Sequence, residues 1–149
     1  MSEHRVDVVV VGLGPGGELL AADLARAGWS VVAVQDGLVG GECPYWGCVP
    51  TKAMVRAADA LGEARRVDRL AGQVDVAADW SPVARRIREL TSDWDDAAAV
   101  ERLESAGVRL VRGRGRLTSP TTVVVAAAGT EQEYAAERAV VVAAGTRTR

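Results

Sequence analysis

Cys43 and Cys48, the only two cysteines of the chain, are separated by four residues in Gly41–Lys52, GECPYWGCVPTK. Thiols at this spacing can cycle between dithiol and disulfide. On a regular helix, residues i and i+5 have Cα atoms roughly 8.5 Å apart, whereas a disulfide needs roughly 4.4–6.8 Å. A bonded pair therefore predicts a non-helical turn between them. Pro44 fixes its own φ and lacks an N–H, and Gly47 permits angles closed to other residues. Cys48 then falls at or just before a helix starting near Pro50. There the positive end of the helix dipole favours a thiolate. The competing readings are two unrelated thiols or half of a zinc site. Zinc sites usually take two pairs of ligands; the chain has no second pair, and its single histidine, His4, is placed ahead of the first expected strand. No metal site is expected.

The elements upstream fix where this pair stands. Arg5–Val11, RVDVVVV, is an apolar, β-branched run of strand length. It leads into Gly12-Leu13-Gly14-Pro15-Gly16-Gly17, which has the GxGxxG spacing at Gly12, Gly14 and Gly17. In such a loop the first glycine allows the tight turn, the second lets the backbone approach a pyrophosphate, and the third lets the helix pack on the strand. A helix from about Gly17 to Ala27 follows, closed by Gly28 and offering free N–H groups to phosphate at its start. A second strand runs from Ser30 to Val34. This strand–helix–strand context predicts dinucleotide binding, with Pro15 and Gly16 also lining the loop. An acidic residue normally ends the second strand and holds the ribose hydroxyls. Gln35 occupies that place with Asp36 beside it; either can serve, and Asp36 also suits a turn before Gly37.

Further along, Met54 to about Val67 is helical and Arg69–Asp79 is a connecting loop. Ser81 reads as an N-cap with Pro82 at the first helical position. Val83, Ile87, Leu90, Trp94 and Ala97 recur at helical spacing, extending to Leu103 and ending at Gly107, as one amphipathic helix. Trp80 and Trp94 are expected to pack. After Gly107 the period changes, and Val108–Val111, Val123–Ala127 and Ala139–Ala143 read as strands.

Gly40–Lys52, GGECPYWGCVPTK, fits the pattern GGxCxxxGCxPSK, with Thr for Ser, and follows the fingerprint at the expected distance. Together they resemble the class I pyridine nucleotide–disulfide oxidoreductases, such as dihydrolipoamide dehydrogenase, glutathione reductase and mercuric reductase. The resemblance implies an α/β fold: a Rossmann-like FAD-binding domain with a parallel sheet and an antiparallel β-meander. It implies FAD in the first nucleotide site and NAD(P)H as electron donor. It makes Cys43 the interchange thiol that attacks substrate and Cys48 the charge-transfer thiol against the flavin, disulfide-bonded in the oxidised form, with Lys52 near flavin N5. Gly40, Gly41, Glu42, Cys48, Thr51 and Lys52 would border the cofactor. Glu42 departs from the Thr common in several branches, and Tyr45-Trp46 from the Asn-Val typical of dihydrolipoamide dehydrogenase. Gly113-Arg114-Gly115 falls where the family backbone meets the adenine, although these glycines also suit ordinary turns. Ala144 and Gly145 match in part a family motif whose backbone touches FAD. Lys52 is the only lysine of the chain, a small hint that a compact charge is wanted there.

The resemblance covers the FAD-binding first third of such an enzyme. The expected domain is 1–149, with the NAD(P) domain and the C-terminal dimerisation domain, which carries an acid–base His, outside it. The expected activity passes electrons from NAD(P)H through FAD to the Cys43–Cys48 disulfide and on to a small-molecule disulfide or metal-ion substrate, in a homodimer when full length. Two other classes stay open: a non-catalytic FAD- or nucleotide-binding fragment, and a flavoprotein whose cysteines are not redox-active. A net charge of −2 gives no general attraction to nucleic acid or acidic membranes. No apolar stretch approaches the ~20 residues of a membrane span. The start MSEHRVD has no signal-peptide core, and two cysteines with none left for structural bridges fit a reducing cytoplasm.

Overall fold

The computed structural model describes residues 3–127 and 129–146. They form two compact units, Met1–Gly41 with Asp96–Arg149, and Glu42–Asp95.

The first unit is built on one six-stranded sheet. Its strands are β1 (Glu3–Val11), β2 (Val31–Gln35), β3 (Val108–Arg112), β4 (Arg114–Ser119), β5 (Thr122–Ala127) and β6 (Thr130–Val142), in spatial order β3-β2-β1-β6-β5-β4. β3, β2, β1 and β6 are mutually parallel neighbours, so the segments at Val6, Val31, Val108 and Val140 make the expected parallel sheet. β4, β5 and the first half of β6 form the expected antiparallel meander. The reading of Ala139–Ala143 as a separate strand is corrected: β6 runs for 13 residues and belongs to both parts. Its register with β1 shifts from Val6↔Ala136 to Val8↔Ala139, placing one extra residue on β6. A bulge of this kind sharpens the local twist. The meander thereby curls over one face of the parallel strands, and a Cβ on Gly115 would lie 3.2 Å from both Val11 and Val34.

Both faces of β1 are therefore covered. Val8 and Val10 join a core with Leu13, Ala21, Val31, Ala33, Ala99 and Leu103. Val9 and Val11 join a second with Val32, Val34, Val123, Val125 and Tyr134. This is why β1 reads as an unbroken apolar run rather than an alternating one. Burying such valines is worth about 1.5–3 kcal/mol each. Helix α1 (Pro15–Arg26) starts two residues earlier than expected, with proline at its start. Gly28, at φ +90°, follows its C-terminus.

The second unit carries α2 (Glu42–Tyr45), α3 (Cys48–Ala64) and α4 (Ser81–Leu90). Ser81 does not cap α4; its N–H instead donates to Asp79 Oδ1 at 2.9 Å, which with the Ser81 hydroxyl holds the Asp79 carboxyl below its usual range. The single long helix expected from Ser81 to Gly107 is also corrected. It is divided into α4 and α5 (Ala97–Ser105), the latter in the first unit. Between them Ser92, Asp93 and Trp94 all have left-handed φ, at 52°, 51° and 61°. The Thr91 hydroxyl donates back to Ile87 O at 2.9 Å, a local bond that competes with helix continuation. Trp80, expected to pack, is 60% exposed, whereas Trp94 is half-buried. No helix of the described residues is long and apolar enough to cross a membrane.

Candidate nucleotide and dithiol sites

The fingerprint loop leaves β1 at its C-terminal end, where the chain goes to β2 on one side and β6 lies on the other. That is the switch point at which open α/β sheets take ligands. Gly12 has φ +98°, and a Cβ there would sit 2.3 Å from Ala143 O and 2.9 Å from Ala144 Cα. A Cβ on Gly17 would sit 2.1 Å from Gly12 O. These two glycines are required by the fold itself. Gly14 and Gly16 differ, since an added Cβ at either meets nothing within 4 Å. Space stands open over Gly14 and Gly16 at the N-terminus of α1, with Gly14 as N-cap and Pro15 at the first helical position.

The loop after β2 closes against the fingerprint. Gly40 N–H donates to Leu13 O at 2.7 Å, and a Cβ on Gly41 would lie 2.9 Å from Gly14 Cα. Gln35 joins the two loops directly: its Oε1 accepts from Leu13 N–H at 2.7 Å and its Nε2 donates to Leu38 O at 3.0 Å. Both ends of the amide are thus used inside the protein. Asp36, by contrast, is exposed. Its side of the loop borders a pocket of about 440 Å³ that is also lined by Gly12, Gln35, Gly113, Arg114, Gly115 and Ala144, within the usual range for small-molecule sites. Gly113 is a turn residue as well, its N–H donating to Gln35 O at 3.0 Å. Gly145 is exposed, with φ +66°.

A hub absent from the sequence motifs holds the post-β2 loop. Asp96 Oδ2 accepts from Val39 N–H and from Arg112, both at 2.6 Å, and Arg112 also donates to Gly37 O at 2.6 Å. Burial pushes the Asp96 carboxyl upward, but the bonds from Val39 and Arg112 outweigh it and leave it below the usual range. The sequence carries no signal for this triad, because its members are 57 and 16 positions apart.

The dithiol turn lies wholly in the second unit. Residues 42–45 form one helical turn, a correction to the expected non-helical connection; the break comes at Gly47, with φ −106° and ψ −98°. Trp46 and Gly47 N–H groups both donate to Glu42 O, at 2.8 and 2.7 Å. Cys48 opens α3, as its position relative to Pro50 predicted. Both cysteines are free thiols, and Cys48 is exposed while Cys43 is half-buried, the reverse of the burial expected from the charge-transfer role. The neighbouring Cys48 thiol, with desolvation, raises the Cys43 pKa above the ordinary 9.0; the Lys52 charge acts in the opposite sense. Lys52 stands one helical turn after Cys48, so both lie on one face of α3. Thr51 and Glu42 are exposed beside them. His4, expected ahead of the first strand, lies within β1 and stacks on Tyr134 with ring centroids 5.3 Å apart.

A parallel βαβ unit with an open glycine loop, curled over by an antiparallel meander, has the architecture of a Rossmann-like FAD-binding domain. The family described as pyridine nucleotide-disulphide oxidoreductase matches residues 6–149, and the chain belongs to it. Members of this family use FAD and NAD(P)H. Dihydrolipoyl dehydrogenase of Chlorobaculum parvum is 34% identical over 99% of this chain and 32% of its own length. That of Chlorobaculum tepidum is 31% identical over 97% and 31%. The HOCl-induced flavoprotein disulfide reductase RclA of Escherichia coli, solved as a Cu(II) complex, superposes with a TM-score of 0.76 at 22% identity, covering all of this chain and 30% of that one; this likeness establishes the fold. The chain spans about a third of the length of these relatives.

Proposed function

We propose that this chain is the FAD-binding portion of an NAD(P)H:disulfide oxidoreductase in which Cys43 and Cys48 cycle between dithiol and disulfide. The observation that carries the reading is the fold of the cysteine turn, which breaks at Gly47 and brings the start of α3, where Cys48 stands, back against Cys43: a Cβ on Gly47 would lie 3.9 Å from Cys43 Cα. The open glycine loop and the Asp36 pocket support it, because they fit the diphosphate and adenosine parts of FAD. Gly14, Pro15, Gly16 and Gly17 would hold the diphosphate, whose charge suits the free N–H groups of α1. Asp36 would accept from the ribose hydroxyls. Gln35 would act on the ribose through the loop it braces rather than by contact. Gly115 and Ala144 would line the adenosine side, with Gly40, Gly41, Glu42, Thr51, Lys52 and Gly145 along the remainder. When bound, FAD supplies two-electron transfer between the nicotinamide and the cysteine pair.

The thiols do the rest. Two electrons and two protons convert the disulfide to the dithiol. Cys43 keeps its proton more firmly than an ordinary thiol because of the Cys48 thiol beside it. Its attack on a substrate disulfide therefore needs a base. The 42–95 unit has no histidine, and the family resemblance supplies one from a partner's C-terminal domain. By the same resemblance the full-length protein is a homodimer acting on a small disulfide or a metal ion, with domain 1–149 as its first third.

The test has two arms. FAD is titrated into the wild-type protein and into Gly14→Val, following flavin fluorescence. Thiols are counted after oxidation by glutathione disulfide and again after dithiothreitol. Saturable binding lost in Gly14→Val, together with two thiols that disappear and return, is the expected result. Flavin binding without reversible thiol loss would leave a nucleotide-binding fragment; no flavin binding at any concentration would overturn the reading.

A further inference from the structure

We propose that Trp94 is a positioning residue for the Cys43–Cys48 pair, and that the left-handed turn Ser92–Trp94 exists to deliver its indole beneath the cysteine turn. The inference rests on the redox reading of that pair. The indole Nε1–H of Trp94 donates to Tyr45 O at 3.1 Å. Its ring meets that of Trp46 with centroids 5.5 Å apart and planes at 31°. Tyr45 and Trp46 are the two residues between Cys43-Pro44 and the break at Gly47, so both contacts fall on the segment whose path sets the distance between the thiols.

That segment needs an outside anchor. α2 has four residues, far fewer than a helix needs to persist alone. Its carbonyl at Glu42 already accepts from both Trp46 and Gly47, which closes the turn but does not fix it to anything beyond itself. Trp94 supplies the fixed point. Three consecutive left-handed residues without a glycine are rare, because L-residues visit this region singly. Here the turn is held by Trp94 N–H to Thr91 O at 2.9 Å and Asp95 N–H to Ser92 O at 3.0 Å. Thr91, 2% exposed, bonds back into α4. Strained backbone persists only where its surroundings over-determine it, and it concentrates at functional sites. Trp46 is itself 63% exposed, so covering one of its faces orders a side chain that would otherwise move freely.

The consequence concerns ring closure. With the turn clamped, each thiol is held near the other, and the disulfide forms from a preorganised dithiol. Loosening the clamp lowers the effective concentration of one thiol at the other and disfavours the disulfide. The experiment equilibrates the protein with glutathione buffers, in which Cys43 and Cys48 lose two electrons and two protons as one glutathione disulfide becomes two glutathione thiols. Acid quenching and mass spectrometry give the oxidised fraction. Trp94→Phe, which keeps an aromatic face but loses the N–H, is expected to lower the oxidation constant about threefold to tenfold, the effect of one hydrogen bond; tenfold is about 30 mV for this couple. Trp94→Leu should lower it further, and Trp80→Phe, on the exposed side of the same unit, should not change it. Should Trp94→Leu fail to fold, Trp94→Phe and Trp46→Ala read the same clamp from its two sides. A Trp94→Phe protein with native circular dichroism and an unchanged constant overturns the clamp alone. A wild-type protein that forms no Cys43–Cys48 disulfide in any buffer overturns the clamp and the redox reading together.

Discussion

Gln35 spends both ends of its amide on Leu13 and Leu38, and this changes what its replacement should do. From sequence, Gln35→Glu promises a charged ribose acceptor and tighter FAD binding. In the structure a carboxylate there keeps the bond from Leu13 N–H but faces Leu38 O without a proton to donate. Gln35→Glu is therefore expected to lower the unfolding midpoint and to leave FAD affinity unimproved. Asp36→Ala is expected to weaken FAD about 10- to 100-fold, the scale of a hydrogen bond to a charged group, without altering stability; isothermal titration and chemical denaturation separate the two. Gly14→Val should fold normally, since φ −68° suits any L-residue and nothing crowds its Cβ, yet bind no FAD. At Cys43 the sign follows from its partners. Cys48→Ala removes the neighbouring thiol that raises its pKa, so the pH midpoint of its alkylation should fall. Lys52→Met removes the charge that lowers it, so the midpoint should rise. Alkylation rates across alkaline pH, read by peptide mass spectrometry, check both.

At the scale of the element, the bulge in β6 carries its own ion pair. Arg138, in the shifted part of the register, bonds Asp7 Oδ1 at 2.8 Å and lies over the Trp29 ring. Asp7 also accepts from Ser30. Arg138 first, then Ser30, lower the Asp7 pKa from 3.8 to about 2. A carboxyl whose folded pKa is depressed adds stability that is complete above the unfolded value and disappears as pH falls through the folded one. Denaturation midpoints should thus decline between pH 3.8 and about 2, and Asp7→Asn should flatten that part of the profile while lowering the neutral-pH midpoint. An unchanged slope in the variant would show that other carboxylates govern it.

For the molecule as a whole, ligand linkage is the useful handle. A group that binds only the folded state stabilises it by mass action, about 2.7 kcal/mol at a free concentration 100 times Kd. FAD should raise the melting temperature of the wild-type protein in a concentration-dependent way and leave Gly14→Val unmoved. The relatives are about three times longer, and by resemblance another segment of such enzymes also borders the flavin. The 149-residue chain is accordingly expected to hold FAD more weakly than a chain carrying the whole family length, measured by retention through gel filtration.

The short-range features were written in the sequence. GxGxxG between a β-branched run and an Ala- and Leu-rich helix specifies the β1–α1 turn because each glycine answers a local steric demand, and GGECPYWGCVPTK places Cys48 at a helix start because Pro50 fits a first turn. The parallel strands followed from their valine runs. What the sequence could not disclose depends on groups distant along the chain. Periodicity carried one helix from Ser81 to Gly107, since apolar spacing is blind to a back-bonding Thr91 and a left-handed Trp94. Ala139–Ala143 read as a strand of its own because the bulge that joins it to the rest of β6 leaves no pattern in residue type. Gln35 looked like a ribose ligand until Leu13, 22 positions away, was seen to occupy it. Asp96 and Arg112 meet Val39 and Gly37 only because β2 and β3 are neighbours. Local sterics are encoded by neighbours in sequence; the partners of a polar side chain are chosen by the tertiary fold.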